Sequence, residues 1–420
     1  MSRSAVREIQ VSGISVHRGE VVVPTQIGDP VQGLLACHAA RLVAGSLRAK
    51  GHQASLAEVS RCDDLAGDGD ARLYLATCPQ EDGTTAAIAA AAAPGDALCA
   101  AAARAAVEEW AGACGTRTLL IASSPWCTGA LHAAGAARQA ASDHHGSGRR
   151  VHILAPVAMP AETASALRDL GAVITTSLAD VDAGDVVVFP AHGVTADMRA
   201  EAARRGATVI DSTCPLVAAA QTAASRTADR GHQLVLIGQP GQASTPSIMS
   251  QAPGHVTVVE TPAKTAALRV SDSQHVSYLV QPGVTLEAGA PVVSALRSRY
   301  PAVRPAVPAE ACYAPSDRAG TIYSVALGSD LMLIVGDPQS ADTRQISGQA
   351  RDSGTRIQVI SEVADLRPAM LAGVQTIGLA ESTSAPAGVA SQLMTALGGL
   401  GRLTVARRKL STEKATSTLA

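Results

Sequence analysis

The sequence predicts an α/β fold in which parallel sheets are covered by helices on both faces. Continuous apolar runs of strand length alternate along the chain with Ala-rich stretches that carry Arg and Glu and have a helical pattern. Unbroken apolar runs are typical of parallel strands that are buried on both faces. Three of the strand-to-helix turns contain a cysteine, at positions 127, 214 and 312. Their separations, 87 and 98 residues, each match the length of one small α/β domain.

Each of these three turns follows an apolar run and precedes a helical pattern. The runs before the cysteines are Thr118–Ala122, Ala207–Asp211 and Val307–Ala311. Further strands are predicted at Asp185–Phe189, Gln233–Ile237, Tyr278–Val280, Leu331–Val335 and Thr376–Leu379. Ligands of open α/β sheets bind beyond the carboxyl ends of the strands, so three domains that face a common centre would bring three thiols together. Helix N-termini at those turns would stabilise an anionic cluster.

Residues 1–114 have a different pattern and are predicted to form an additional N-terminal α/β unit of unknown role. The predicted strands are Gly19–Pro24 and Leu73–Thr77, and the predicted helical regions are Pro30–Gly51 and Ala86–Cys114, the latter interrupted at Pro94. The acidic stretch 63–70 is predicted to be a loop. The tail, residues 406–420, is basic and rich in Ser and Thr, and we expect it to be flexible.

Composition excludes several classes of function. The chain has 420 residues, of which 47% are apolar and 17% charged, and its net charge of −2 indicates neither disorder nor a nucleic-acid surface. Aromatic residues make up only 2% of the chain, which leaves few rings for base stacking. No apolar run resembles a signal segment or a membrane span, so we expect a cytoplasmic protein without a membrane partner. In that compartment the eight cysteines are expected to be thiols.

Three distant cysteines are compatible with one kind of metal centre. Structural zinc usually takes four Cys or His ligands, often in closely spaced pairs, and the sequence has no such pair. A 4Fe-4S cluster normally takes four thiolates, and a cluster held by three keeps one iron open to bind a substrate oxygen. The alternative is that the three are buried structural thiols. Structural thiols are also expected for the other cysteines, at positions 37, 62, 78, 99 and 114.

Several short motifs follow one another between about Arg117 and Arg402. They are Ala191–Val194, Asp211–Val217, Leu236–Gly238, Met249–Gln251, Ala311–Ala314, Val335–Gly336 and Thr383–Pro386. In this order and at this spacing they resemble the LytB/IspH family, the 4-hydroxy-3-methylbut-2-enyl diphosphate reductases of non-mevalonate isoprenoid biosynthesis. One of these motifs alone would be weak, but the ordered set is specific.

The resemblance implies a trefoil of three pseudo-symmetric α/β domains around a central 4Fe-4S cluster. Cys127, Cys214 and Cys312 would hold this cluster. In the family, the remaining iron binds the allylic hydroxyl of the substrate, and two electrons from ferredoxin or flavodoxin, with protons, expel that oxygen as water. The three domains would comprise residues 115–195, 196–290 and 291–405.

Three polar side chains of the family's substrate site are retained in this sequence. They are His192, Ser340 and Ser384. The resemblance assigns His192 a catalytic and substrate-binding role, and it assigns both serines to substrate binding. A serine at the start of a helix also caps that helix without any ligand, so helix capping is the alternative for Ser340 and Ser384.

Other positions of the family pattern differ in this chain. Met159 and Gln242 stand where the family has phosphate-binding histidines, and Ser244 stands where it has the proton-relay glutamate. Pro282 replaces a threonine, and Asp342 replaces an asparagine. These changes remove donors to phosphate and add a repelling charge. We therefore expect Gln242 and Ser244 to offer the substrate neutral hydrogen bonds only.

The predicted function is that of a 4Fe-4S-dependent reductase that removes the hydroxyl of an isoprenoid-type allylic alcohol. Its small hydroxylated substrate is expected to differ from the usual diphosphate. One alternative is a (de)hydratase that uses the open iron as a Lewis acid without redox turnover. Another is a catalytically degenerate protein that keeps the fold for cluster binding or regulation. A further alternative is an ordinary reductase of the pathway, in which other residues compensate for the positions that differ.

Overall fold

The computed structural model describes residues 5–11, 14–29, 33–57, 70–80, 83–122, 127–155, 159, 161–306 and 312–411. The chain divides into two compact units. The first unit comprises residues 1–123 and 321–408, and the second comprises residues 124–320 and the tail 409–420. Three predicted segments lie wholly or in part outside the described residues: positions 63–69 of the acidic loop predicted at 63–70, the apolar run at 307–311, and the tail from residue 412.

Strands and helices alternate along most of the described chain. The strands are β1 (Arg7–Val11), β2 (Glu20–Pro24), β3 (Gln26–Asp29), β4 (Gly33–Ala36), β5 (Gln53–Ala57), β6 (Ala71–Pro79), β7 (Thr85–Ala92), β8 (Arg117–Ala122), β9 (Val151–Leu154), β10 (Val173–Thr175), β11 (Val186–Phe189), β12 (Thr208–Asp211), β13 (Gln233–Ile237), β14 (Val256–Val259), β15 (Val276–Val280), β16 (Arg304–Pro305), β17 (Leu331–Val335), β18 (Arg356–Ile360), β19 (Thr376–Glu381) and β20 (Leu403–Arg408).

The α-helices of the described residues connect these strands. They are α1 (Ala40–Ala49), α2 (Ala97–Gly112), α3 (Thr128–His144), α4 (Ala161–Asp169), α5 (Ala196–Arg204), α6 (Pro215–Asp229), α7 (Ser244–Met249), α8 (Pro262–Ala267), α9 (Leu286–Arg299), α10 (Ala314–Leu327), α11 (Ala341–Arg351) and α12 (Val389–Gly398). Two 3-10 turns, Val363–Asp365 and Pro368–Leu371, lie between β18 and β19. Within the described ranges, every helix is too short or too polar to cross a membrane.

The first unit contains two five-stranded sheets that share one hydrophobic core. The N-terminal sheet has the strand order β1-β6-β7-β2-β5 and is mostly antiparallel. The second sheet, β18-β17-β19-β8-β20, is parallel throughout. Trp110 of α2 is fully buried, and its indole nitrogen donates a 3.0 Å hydrogen bond to the Ser46 hydroxyl of α1. The domain boundaries expected from the sequence stay predictions.

Two helix predictions for the N-terminal part were wrong in part. The run Ala86–Ala92 is not helical but belongs to β7, which pairs with β6 and β2 and is buried. Alanine favours a helix only weakly, and burial between two strands overrides that preference. The predicted helix over Pro30–Gly51 is reduced to α1, because Gly33–Ala36 forms β4 and pairs with β3.

The second unit contains two four-stranded sheets in which every strand pairing is parallel. Their strand orders are β10-β9-β11-β12 and β14-β13-β15-β16. The central strands β11 and β13 are buried along almost their whole length. The predicted α/β class and the predicted strands at Asp185–Phe189, Gln233–Ile237 and Tyr278–Val280 are thereby confirmed.

A buried carboxylate ties the start of β11 to its neighbour β9. Asp185 accepts hydrogen bonds from the His152 imidazole at 3.0 Å and from the backbone N–H groups of Asp182 and Arg150. Burial by itself raises the pKa of Asp185, but these hydrogen bonds outweigh that effect, so the pKa lies below its usual value. The pair lies at the amino ends of both strands, away from the turns that carry the cysteines.

The expectation that all cysteines are thiols was wrong for two of them. Cys78, at the end of β6, and Cys114, just after α2, form a disulfide with a Cα–Cα distance of 6.3 Å. The contact arises because α2 packs on β6 and β7, which brings its C-terminal end beside the end of β6. Among the described cysteines, the remaining ones are free thiols, at positions 37, 99, 127, 214 and 312.

Candidate metal and substrate site

The three predicted ligands lie at the beginnings of three helices. Cys127 is the N-cap of α3, Cys214 is the N-cap of α6, and Cys312 lies two residues before α10. The backbone N–H of Ala130 donates a 3.4 Å hydrogen bond to the Cys127 sulfur. Helix N-termini present unpaired N–H groups and a partial positive charge, so each of the three positions suits an anionic sulfur ligand.

Two of the sulfurs converge on a glycine in the first turn of α3. A Cβ atom added to Gly129 would lie 2.9 Å from the Cys214 sulfur and 3.9 Å from the Cys127 sulfur. At the first of these distances, a carbon atom and a sulfur atom that are not bonded to each other would clash. The absence of a side chain at Gly129 therefore leaves the space in which the two sulfurs approach each other.

Cys312 lies in the neighbourhood of Cys127 and Cys214. Burial raises the pKa of the Cys312 thiol, and the nearby Cys127 and Cys214 raise it further through like-charge repulsion. The backbone N–H groups of Gly283 and Ala314 act in the opposite direction, because they donate hydrogen bonds to the Cys312 sulfur. Cys312 is therefore near enough to Cys127 and Cys214 to interact with them electrostatically within the second unit, and the role of the three as ligands of one cluster stays a prediction.

The spacing of the three thiols differs from that of ligands around a single metal ion. Among the described residues, no three side chains of the Cys, His, Asp and Glu types lie close enough together to coordinate one ion. An iron–sulfur cluster binds each cysteine through a different iron, so its ligands stand further apart. Three half-buried thiols, backbone donors to the sulfurs of Cys127 and Cys312, and a glycine beside the sulfurs of Cys127 and Cys214 are compatible with such a donor set.

His192 lies in the turn after β11, beside the Cys214 turn. The Cys214 N–H donates to the Ala191 carbonyl at 2.9 Å, and the Ser247 hydroxyl donates to the His192 carbonyl at 2.8 Å. The His192 imidazole is accessible, yet the surrounding protein removes enough water to lower its pKa. At neutral pH this favours the uncharged ring, which has one donor and one acceptor nitrogen.

Ser244 occupies the interior of the second unit. It is 1% exposed, and its hydroxyl accepts a 2.8 Å hydrogen bond from the side-chain amide of Gln281. The same amide donates to the Thr245 hydroxyl at 2.7 Å, and the Gln281 oxygen accepts from the Gln239 N–H at 3.1 Å. These bonds join the turns after β13 and β15 and engage the serine that was expected to face the substrate.

Gln242 lies beside the turn that contains Gly283. Its side-chain oxygen is 3.3 Å from the position that a Cβ on Gly283 would occupy. Gly283 has a φ of +106°, a conformation that favours glycine, and its N–H is the one that donates to Cys312. Gln242 therefore packs against the turn that contacts one cysteine ligand, where it can offer a neutral amide.

Ser340 and Ser384 meet in a closed ring of hydroxyl groups in the first unit. Ser384 donates to Ser340 at 2.9 Å, Ser340 donates to Thr343 at 2.9 Å, and Thr343 donates to Ser382 at 2.9 Å. Ser382 and Ser384 close the ring at 2.9 Å. Ser340 also caps α11 by accepting from the Thr343 N–H at 3.1 Å, so the capping alternative for this residue is confirmed.

The carboxylate of Asp342 lies next to this hydroxyl ring. Asp342 is in the first turn of α11, and it accepts a 2.7 Å hydrogen bond from the backbone N–H of Thr383. One of its oxygens thus holds the segment between Ser382 and Ser384 against the start of α11. The negative charge is stabilised there by the helix N-terminus.

Sequence reasoning missed several positions beside the predicted site residues. The side chains and positions that it missed are Gly129, Thr343, Ser382 and the buried contacts of Gln281. For Gly129, the available signal was its position two residues after a predicted cysteine ligand. The alternating serines of the segment 382–384 were the signal for the hydroxyl ring.

Comparison with known proteins identifies the relatives of this chain. A family model described as LytB protein matches residues 118–398. The 4-hydroxy-3-methylbut-2-enyl diphosphate reductase 2 of Mycobacterium bovis is 38% identical over 251 residues, which cover 59% of this chain and 76% of that protein. The reductase of Bordetella bronchiseptica is 34% identical over 239 residues, which cover 57% of this chain and 73% of that protein.

Two solved structures share the fold. The E-1-hydroxy-2-methyl-but-2-enyl-4-diphosphate reductase of Plasmodium falciparum aligns with a TM-score of 0.59 and 20% identity, over 71% of this chain and 94% of its own. A structure of (E)-4-hydroxy-3-methyl-but-2-enyl diphosphate reductase aligns with a TM-score of 0.53 and 23% identity, over 67% of this chain and 99% of its own. The predicted fold, a trefoil of α/β domains, is confirmed by this likeness.

The fold and the matched sequence define an α/β oxidoreductase of the IspH type. The chain belongs to the LytB family. The matched region begins at residue 118, so β1 to β7, α1 and α2 precede it.

Proposed function

We propose that this protein is a 4Fe-4S-dependent reductase that removes the hydroxyl group of an allylic alcohol. Cys127, Cys214 and Cys312 hold the cluster in this proposal. The observation that carries it is the convergence of sulfurs at Gly129, where a single added carbon would touch Cys214 and reach Cys127. Family membership supports the same reaction class.

The chain's own residues prepare the site for an anionic centre and a small polar substrate. When bound, a 4Fe-4S cluster supplies electrons and a Lewis-acidic iron. The N–H groups of Ala130, Gly283 and Ala314 donate to the cysteine sulfurs and so stabilise their negative charge. His192, held neutral by its lowered pKa, offers a hydrogen bond to substrate without adding charge. Ferredoxin or flavodoxin is the proposed electron donor.

We propose further that the substrate carries less negative charge than the usual diphosphate. Met159 and Gln242 replace two imidazoles of the family pattern. A hydrogen bond to a charged group contributes about 1.5–3 kcal/mol, so two such losses together weaken diphosphate binding by roughly 10²–10⁴-fold. The Asp342 carboxylate beside the hydroxyl ring opposes a phosphate there as well.

The proton for the departing oxygen then has a different source from that in the family pattern. Ser244 is buried and engaged by Gln281, and a hydroxyl is a far weaker acid than the carboxylic acid it replaces. His192 is the remaining titratable side chain among the retained positions. In this proposal it relays protons from solvent.

Anaerobic purification with iron and sulfide quantitation tests the cofactor assignment. We expect about four irons per chain and an electron paramagnetic resonance signal on reduction. Cys214→Ser is expected to lose most of this iron. Cys99→Ala, which removes a buried thiol of the first unit, is the matched control and should retain it. Full iron content in Cys214→Ser would contradict the ligand assignment.

Turnover assays test the substrate assignment. With a reduced viologen dye as donor, the protein should reduce allylic alcohols that carry one phosphate or none faster than 4-hydroxy-3-methylbut-2-enyl diphosphate. A family-typical rate on the diphosphate would contradict the proposed substrate. Turnover that needs no electron donor would instead indicate a (de)hydratase.

A further inference from the structure

The first unit contains a cavity at the C-terminal end of α2. Its volume is about 500 Å³, and it is lined by residues 108–117 on one side and by residues 368–375 on the other. Cavities of this size bind small organic molecules in many proteins. The first of these segments lies before the region matched by the family model, and the second lies within it.

A buried arginine lines this cavity. Arg117, the first residue of β8, is only 7% exposed. One terminal nitrogen of its guanidinium donates a 2.7 Å hydrogen bond to the Ala113 carbonyl. The other two nitrogens, Nε and Nη1, are buried and have no hydrogen-bond partner among the described residues. Three N–H groups of a charged side chain are thereby left without an acceptor.

The acidic residues that line the cavity do not neutralise this arginine. Glu108 pairs with Arg104 one turn earlier in α2, and Glu109 pairs with Lys50 of α1. Both carboxylates are half-exposed and engaged with cations at the surface. The guanidinium of Arg117 therefore has no ion-pair partner among the described residues that line the cavity.

A buried charge without a partner is costly, and an arginine keeps its charge at every physiological pH. A bound anion would supply both the opposite charge and the missing acceptors. The planar guanidinium suits a carboxylate or a phosphate, which can accept two parallel hydrogen bonds. The volume of the cavity leaves room for more than the anionic group.

We propose that this cavity binds a small organic anion whose carboxylate or phosphate pairs with Nε and Nη1 of Arg117. The site is separate from the cysteines of the second unit, and the proposal does not depend on the reaction proposed above. It gives the residues before the LytB-matched region a binding role.

Thermal unfolding of the full chain with inorganic phosphate and with acetate, at constant ionic strength, tests this site. At least one of the two anions should raise the Tm of the wild type and of Arg104→Met, which removes an exposed arginine of α2. Arg117→Met, which removes the charge and keeps similar volume, should bind that anion at least tenfold more weakly. No shift in the wild type, or an equal shift in Arg117→Met, would overturn the proposal.

A second measurement decides the question if Arg117→Met does not fold. Crystals of the wild-type protein soaked in selenate, a phosphate analogue that scatters anomalously, should show a peak within hydrogen-bond distance of the Arg117 guanidinium. An occupied peak elsewhere with none at Arg117 would refute the site. Neither experiment reads out reductase activity, so failure here and failure of the proposed reaction are distinguishable.

Discussion

Adding one methyl group at Gly129 tests whether the three cysteines form a working metal site. In Gly129→Ala, the new Cβ would lie 2.9 Å from the Cys214 sulfur and 3.0 Å from its Cβ, so Cys214 must move. Overpacking of this kind costs about 1–3 kcal/mol. Because the displaced atom is a predicted ligand, we expect the iron content per chain to fall well below that of the wild type.

Gly135→Ala is the matched control for this experiment. Gly135 lies in the same helix, α3, and a Cβ there would meet nothing within 4 Å. Replacing glycine by alanine inside a helix stabilises it by up to about 1 kcal/mol, and this gain is common to both variants. The difference between their urea unfolding free energies therefore isolates the clash. Equal stability and equal iron content in the two variants would refute the reasoning.

Three further predictions concern the stability of the rest of the molecule. The pKa of Asp185 is lowered by folding, so its contribution to stability is present above the unfolded value of about 4 and is lost as the pH falls through the folded value. Between pH 7 and pH 3, the urea midpoint of Asp185→Asn should therefore fall less than that of the wild type. An identical pH dependence of the two proteins would contradict this prediction. Non-reducing peptide mapping should recover Cys78 and Cys114 in one linked peptide, and replacing both by serine should lower the unfolding free energy by about 2–4 kcal/mol. Ser244→Glu should lower the unfolding free energy by about 1–3 kcal/mol without gaining turnover, because the new carboxylate would be buried beside Gln281 with no cation among its hydrogen-bond partners. A rise in the rate on the usual diphosphate would contradict this prediction.

The parallel strands were predictable because their sequence pattern and their environment agree. Runs such as Gln233–Ile237 are apolar at nearly every position, and the structure buries them between helices as that pattern requires. The run Ala86–Ala92 was not predictable in this way. Its alanines favour a helix locally, and only the neighbouring strands β6 and β2, distant in sequence, make it a strand.

The candidate site was predictable where a single residue carries the chemistry. Each predicted cysteine ligand lies at the beginning of a helix, as its sequence position indicates, and the role of the three as ligands stays a prediction. Gly129 was not identified, because its importance lies in the approach of Cys214 from a turn more than eighty residues away. The Cys78–Cys114 disulfide likewise depends on how α2 packs, which no local spacing encodes.

The departures from the family pattern are consistent with one another in chemical terms. Ser244 and Gln281 satisfy each other in a buried hydrogen bond, so the loss of the glutamate leaves no unpaired polar group behind. In the hydroxyl ring, Ser340 and Ser384 each donate and accept, and the ring is complete without a ligand. A phosphate bound there would have to break these bonds and approach the Asp342 carboxylate. The contacts of the ring act against a phosphate there, whereas an uncharged hydroxyl or ether oxygen can join such a ring at little electrostatic cost. The sequence changes therefore support a change of substrate more than a loss of the fold or of its cysteines.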